Sequence, residues 1–309
     1  MIDITLLGTA ALVPIPERAL TAAFLTCGGH SILFDCGEGT QSAAVKAGVS
    51  LMKTDLIALT HYHGDHILGL PGLLKTMWRM GRKEPLYITG PEGLWQKAME
   101  PILRLTGRTA YPIELIELPA EGLQLRKLIR GWASAAKLTV FKTVHKVPSQ
   151  GYCFTLGRAG KFLPQKAKAL GVPVNQWSLL QNGQSVQFDD TVILPEQVLG
   201  EPRKGLKFVF TGDTEVCDSM IDAAQGADLM ICDATYGDDT QVQHSTDYSH
   251  MTFAQAATVA AKANVKRLWL AHFSQRIRNP KDYLPNATAI FANTICGQDG
   301  MSMTLHFED

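Results

Sequence analysis

The sequence predicts an α/β protein, and three observations carry that prediction. Short apolar runs such as Leu56-Ile57-Ala58-Leu59-Thr60 and Leu229 to Cys232 have the length of buried strands rather than helices. Several of these runs end in a glycine-rich or polar turn that leads into a helical stretch. From Lys207 onward, strand, turn and helix alternate regularly. The chain has 309 residues, 46% of them hydrophobic, enough to bury a sizeable core. No apolar run approaches the roughly 20 residues of a membrane-spanning helix.

Residues 2–9 alternate as a first strand ending at Gly8-Thr9, without the basic start and long apolar centre of a signal peptide. A loop rich in proline and small residues follows. Phe24 to Cys27 and Ser31 to Phe34 form two strands joined by Gly28-Gly29, a hairpin signal. Asp35-Cys36-Gly37-Glu38-Gly39-Thr40-Gln41 turns into an Ala-rich helix. A helix over Leu73 to Met80 ends near Gly81, and Leu86 to Thr89 is a short strand. Lys137 to Thr143 is a strand delivering Val144-His145, and Gly151 to Leu156 returns beside it. Residues 157–205 are basic, irregular and punctuated by proline. Strands over Lys207 to Phe210, Leu229 to Cys232 and Arg267 to Ala271 complete the chain. Thr252 and Gln255 have the spacing of a capping box for a helix through Ala263.

Two compositional features bear on function. The six cysteines are scattered, with no C-x-x-C, which suits free thiols in a reducing compartment, and a cytoplasmic protein is expected. The formal net charge is zero, yet Gly122 to Phe188 contains no Asp or Glu. That stretch holds ten positive residues, leaving a net −10 for the remainder of a neutral chain. Such a block is an electrostatic footprint for a polyanion; a solvated basic face without a partner is the alternative.

His61-Tyr62-His63-Gly64-Asp65-His66 packs three imidazoles and a carboxylate into six residues. It lies on a loop at a strand end, where rigid neighbours can aim side chains at one point. Imidazole and carboxylate are good ligands for zinc and similar ions. The spacing can split the donors, His61 and His63 toward one metal and Asp65 and His66 toward a second. Gly64 is expected to let the backbone fold tightly between the pairs. The alternative is a surface loop that holds three histidines by chance; with nine histidines in the whole chain, the density argues against it.

The hexapeptide resembles the signature of the metallo-β-lactamase fold, whose members are hydrolases with one or two metals. With its flanks, Thr60 before it and Gly69-Leu70-Pro71-Gly72-Leu73-Leu74 after it, the stretch resembles tRNase Z, the endoribonuclease that trims the 3′ trailer of precursor tRNA. Further stretches share the resemblance. They include Asp35 to Gln41, where Asp35 or Glu38 could bond a metal-bound imidazole and helix capping is the other reading. His145-Lys146-Val147-Pro148-Ser149-Gln150-Gly151-Tyr152 and the turn Thr211-Gly212-Asp213-Thr214 also match. So does His272-Phe273-Ser274-Gln275-Arg276, with Ile277 where the family has Tyr. Cys232-Asp233-Ala234-Thr235 resembles the family's HEAT motif with Cys for His and Asp for Glu. Ser249-His250-Met251-Thr252 resembles its H-S-T motif with Met251 for Ser. Arg18-Ala19-Leu20-Thr21-Ala22-Ala23 departs from a run like RNxSS, and Asn175-Gln176 stands where a Gly-Pro pair is common.

The resemblance implies a four-layer αββα sandwich, one domain over residues 1–309, with 157–205 an arm-like insertion that binds tRNA. It implies two divalent metals: His61, His63 and His145 on the first, Asp65, His66 and His272 on the second, Asp213 bridging. Zinc suits these donors, with manganese or iron open. It further implies that Asp65 orients or deprotonates a water, and that His250, held protonated by Asp233, protonates the leaving 3′ oxygen. Precursor tRNA is the implied substrate and a homodimer the implied assembly. Two rivals stand beside this reading. One is another hydrolase on the same site, a small phosphodiesterase or a lactone or thioester hydrolase. The other is a catalytically dead RNA-binding scaffold, which would predict lost ligands, whereas all seven positions are filled.

Overall fold

The computed structural model describes residues 1–119, 121–188 and 191–308. Two seven-stranded mixed sheets pack face to face. The first runs, edge to edge, through Ser302–Leu305, Ile2–Gly8, Ala22–Cys27, His30–Phe34, Leu56–Ala58, Leu86–Thr89 and Ile113–Ile116. The second runs through Thr294–Cys296, Leu268–Ala271, Leu229–Asp233, Arg203–Phe210, Gln150–Arg158, Ala136–Lys142 and Leu123–Gln124. Both sheets share one plan: antiparallel pairings in one half and parallel pairings in the other. No repeat is visible in the sequence, because the shared plan needs only strands of similar length and burial.

Three apolar layers hold the sandwich. Between the sheets lie Phe34, Tyr152, Phe154, Phe208 and Trp269, with the Phe34 and Phe208 rings 5.6 Å apart, edge to face. Helices cover each outer face. Leu70–Arg79 buries Leu70, Leu73, Leu74 and Met77 on the first sheet. Phe253–Lys262 buries Phe253, Ala256, Ala257 and Ala260 on the second. The latter helix starts where the sequence places it: Thr252 Oγ1 accepts from the Gln255 amide and the Gln255 side chain accepts from the Thr252 amide. The arrangement is the αββα sandwich the resemblance implies.

Between the strands Gln150–Arg158 and Arg203–Phe210 the chain folds into a compact unit. It contains the short helices Pro164–Ala169, Trp177–Gln181 and Pro195–Val198 and a hairpin of Val186–Phe188 with Thr191–Ile193. Ala167, Val172, Leu180, Val186, Ile193 and Val198 form its own small core. The two flanking strands take up residues 157–158 and 203–205 at the margins of the arm-like segment.

Candidate active site

The parallel halves of both sheets send their strand ends toward one region. Leu56–Ala58 leads to His61, Arg203–Phe210 to Asp213, Leu229–Asp233 ends in Asp233 itself, and Leu268–Ala271 leads to His272. In α/β sheets the ends of parallel strands are where loops converge to bind ligands. His145 arrives from the second sheet, just after Ala136–Lys142. Gly64 is not the tight bend expected of it. It opens one helical turn, Gly64–Ile67, without a left-handed backbone, and that turn presents Asp65 and His66.

Two donor sets adjoin. The ligand atoms of His61, His63, His145 and Asp213 lie within 4.8 Å of one another, and so do those of Asp65, His66, His272 and Asp213. Asp213 belongs to both: its Oδ2 is 3.6 Å from His61 Nε2, and its Oδ1 is 3.3 Å from His66 Nε2 and 3.2 Å from His272 Nε2. Asp233 and His250 form a third grouping with Asp213 and His272.

Hydrogen bonds fix which imidazole nitrogen faces inward. His66 Nδ1 donates to Asp35 Oδ2 at 2.8 Å, and His145 Nδ1 donates to the Ser249 carbonyl at 3.0 Å. With Nδ1 donating to these acceptors, each Nε2 keeps its lone pair when the ring is neutral. The Thr60 hydroxyl donates to Asp35 at 2.8 Å and can therefore only accept from His61 Nδ1 at 3.1 Å. The Thr235 hydroxyl donates to Asp233 at 2.7 Å and accepts from His272 Nδ1 at 2.9 Å. Asp35 thus supports two rings; Glu38 is exposed and supports none. Carboxylate and hydroxyl partners behind an imidazole are what a metal-binding histidine requires.

The result is a set of converging lone pairs. His61 Nε2 and His63 Nδ1 are 3.0 Å apart, His63 Nδ1 and His145 Nε2 3.3 Å, and His66 and His272 Nε2 3.3 Å. Asp213 Oδ1 is buried without a hydrogen bond. Four carboxylates, Asp35, Asp65, Asp213 and Asp233, are buried here. A buried charged oxygen without a partner is strongly unfavourable, so Asp213 in the midst of these groups calls for a cation. The donor chemistry fits divalent metal ions.

The electrostatics agree. Burial, together with the positive charge of neighbouring imidazoles, holds His61, His63 and His145 below the ordinary histidine range, the neutral form a ligand needs. Burial opposes charging of His66, but Asp213, Asp35 and Asp65 outweigh it and push His66 well up. Burial also opposes ionisation of Asp65 and Asp213, yet the surrounding imidazoles hold both well below the carboxylate range. His250 Nδ1 lies 2.7 Å from Asp233 Oδ2. Burial works against its charge, but Asp233 prevails and its pKa is pushed up to about 9.

The family models that match are those described as anti-Pycsar protein Apyc1, over residues 2–162, and as beta-lactamase superfamily domain, over 197–273. Full-length relatives are more decisive. The ribonuclease Z of Agathobacter rectalis is 38% identical over 309 residues, and that of Clostridioides difficile is 40% identical over 310, each covering the whole of both chains. The chain belongs to the ribonuclease Z family. Among solved structures, the short form of human tRNase Z is 27% identical with a TM-score of 0.66, covering 99% of this chain and 100% of that one. The metallo-β-lactamase fold protein YhfI from Bacillus subtilis shares the fold at 20% identity and a TM-score of 0.69, over 98% of this chain and 100% of that one.

Departures from the family's motifs have structural counterparts. Met251 is fully buried in the core beneath the second sheet's helices, so an apolar residue fills what could have been a polar site. Ile277 is buried as well, and its carbonyl accepts from the Arg18 guanidinium at 2.6 Å. Thr60, Thr235 and the Ser249 carbonyl, which orient the rings, have no role in the sequence reading. Thr60 and Thr235 do stand inside the recognised motifs, and a hydroxyl adjoining a ligand or an acid is the signal that could have found them.

The basic stretch is divided. Lys146 adjoins His145 and lies over the Tyr248 ring at 4.9 Å. Arg126, Arg130, Arg158 and Arg203 line a separate cleft of about 1140 Å³. Strand Gln150–Arg158 joins the two places: Gln150 bonds the Thr60 carbonyl beside the site, and Arg158 is eight residues on. That is roughly 25 Å of extended chain.

Proposed function

We infer that this chain is a metal-dependent endoribonuclease that removes the 3′ trailer of precursor tRNA. One observation carries the reading: two imidazole-carboxylate donor sets share Asp213, with Asp65 and a charged His250 at the same site. Family membership sets the substrate. In this reading His61, His63 and His145 hold one divalent ion, Asp65, His66 and His272 hold a second, and Asp213 is common to both. When bound, such ions, zinc being the best match to the donors, supply an acidified water and neutralise charge on the phosphate.

The chain's own groups do the rest. Asp65 Oδ2 accepts from the Leu12 amide at 2.8 Å and lies 3.4 Å from His272 Nε2, so its position is fixed. Held as a carboxylate, it orients the attacking water and can take its proton. The new bond runs from that water oxygen to phosphorus, and the bond from phosphorus to the 3′ oxygen breaks. His250 carries one proton toward Asp233 and has a second on Nε2, which it delivers to the departing oxygen. The products are tRNA with a 3′-hydroxyl and a trailer with a 5′-phosphate. The unit between residues 157 and 205, with its exposed Lys161, Lys166 and Lys168, is the tRNA-holding part of the reading, since basic side chains bind phosphates and set position rather than sequence. A homodimer in the cytoplasm completes it.

The test compares substrates. Rates are measured on a 3′-extended precursor tRNA and on a small chromogenic phosphodiester, alone and in competition. Efficient tRNA cleavage, with tRNA inhibiting turnover of the small ester, is expected. Efficient turnover of the small ester with tRNA neither cleaved nor competing would replace this reading with that of a small phosphodiesterase.

A further inference from the structure

A further cavity is lined by a loop that is bonded to the metal-ligand loop. It has a volume of about 540 Å³ and lies between the loop Gly90 to Leu94, the start of the helix that follows, and residues 115–118. The loop is tied to the site. The Tyr62 hydroxyl, between His61 and His63, donates to the Pro91 carbonyl. Gly90 lies so close that a Cβ there would meet Tyr62 Oη at 2.7 Å. Gln150, which also lines the cavity, donates its backbone amide to the Thr60 carbonyl at 3.0 Å. A ligand in this cavity therefore lies against a loop and a strand end that are bonded to the metal-ligand loop.

The lining dictates what it can hold. Trp95 is 47% exposed, an unusual state for so large an apolar ring, and Leu115, also in the lining, is 37% exposed. Glu92 and Glu117 are the charged groups, and no Lys or Arg is among the described lining residues. Two carboxylates without a cation repel phosphate. An uncharged planar ring with hydrogen-bonding edges satisfies both features: its face covers the indole, and its edge meets Gln96 and the carboxylates. We propose that this cavity is a nucleobase subsite, in which the base of a nucleotide flanking the scissile phosphate stacks on Trp95. The inference rests on the RNA-cleaving reading and adds a residue that binds substrate and tunes choice at one position. Stacking is tolerant of base identity because every base has a π-face.

The experiment uses the metal-loaded, full-length enzyme. Precursor tRNAs carry an abasic nucleotide in turn at each position flanking the cut. For the native enzyme one position should lower kcat/KM about tenfold, the size of one aromatic-base stack. Trp95→Ala should show the same loss on the unmodified substrate and no further loss at that position, while Trp95→Phe, which keeps a stacking face, recovers most of it. Equal sensitivity of native enzyme and Trp95→Ala at every position would overturn the proposal. So would a change in oligomeric state of Trp95→Ala without base dependence, which would assign Trp95 to a subunit contact. An independent readout separates this proposal from the broader one. A short single-stranded RNA should quench tryptophan emission in the Asp65→Ala background, and the quenching should vanish when Trp95→Ala is added. Native enzyme that fails to cut precursor tRNA but shows that quenching would sink the processing function and leave the subsite; retained quenching without Trp95 would sink the subsite.

Discussion

At the scale of single residues, the site depends on groups that hold other groups. Thr235 has one hydroxyl serving two masters, Asp233 and His272. In Thr235→Val, with the shape kept, zinc affinity should fall roughly 10- to 100-fold, as it does for lost outer-shell partners; competition with a chromophoric chelator measures it. The His250–Asp233 pair has a pH signature in the metal-free protein. Its folded pKa of about 9 exceeds the unfolded value of about 6.5. The pair's stabilisation is therefore fully present below about pH 6.5 and is lost as pH rises through about 9. Thermal unfolding of metal-free protein between pH 6 and 10 should show a smaller alkaline loss in Asp233→Asn than in the native chain. Equal losses would place the charge elsewhere. The cluster from His61 to His66 was legible because ionisable residues seldom crowd so densely by chance, whereas His145, Asp213 and His272, each isolated in the sequence, were legible only through the family resemblance. The relay through Thr60 and Thr235 was not legible, because a hydroxyl's partner depends on contacts such as Thr235 to His272, 37 positions apart.

At the scale of elements, strands were readable from short apolar runs, and the capped helix from Thr252 and Gln255. What the residues did not disclose is backbone strain. Leu12, Asp35, Ser249 and His272 all have positive φ without being glycine. Leu12 donates to Asp65, Asp35 and Ser249 orient imidazoles, and His272 is itself a ligand candidate. Such conformations cost about 1–3 kcal/mol each and persist where the surroundings impose them. Asp35 and His272 follow directly on strands and Ser249 caps the helix Val242–Tyr248, places where the chain turns sharply to bring side chains together. The loop carrying Asp213 shows the same crowding. Gly212 has φ +62°, and a Cβ there would lie 2.6 Å from Thr60 Cβ. Gly212→Ala should separate the Asp213 and His61 loops, lowering both thermal stability and metal content after dialysis; metal analysis and calorimetry check the two effects. Full metal retention at native stability would show that the loops are not so tightly apposed.

At the scale of the whole molecule, the site joins the two sheets. His61, His63, Asp65 and His66 come from the first, and His145, Asp213 and His272 from the second. Bound metal should therefore act as a clasp between the halves of the sandwich. An ion present at about 1,000 times its dissociation constant adds about 4 kcal/mol to the folded state. Chelation should lower the melting temperature by roughly 5–10 °C, and zinc should restore it. The sandwich class itself followed from family resemblance, since alternation of strands and helices fits several α/β plans. The compact unit beyond Arg158 was visible in the sequence as a change of composition and, through the resemblance, as an arm-like insertion; its own small core was not.

The central claim is best tested by cleaving a 3′-extended precursor tRNA and mapping both product ends, with native protein beside Asp65→Ala and His250→Ala. The expected result is a single cut near the discriminator base, leaving a 3′-hydroxyl and a 5′-phosphate, abolished in Asp65→Ala and slowed in His250→Ala. Folded, metal-loaded native protein that makes no such cut, or cuts that leave a 3′-phosphate, would contradict it.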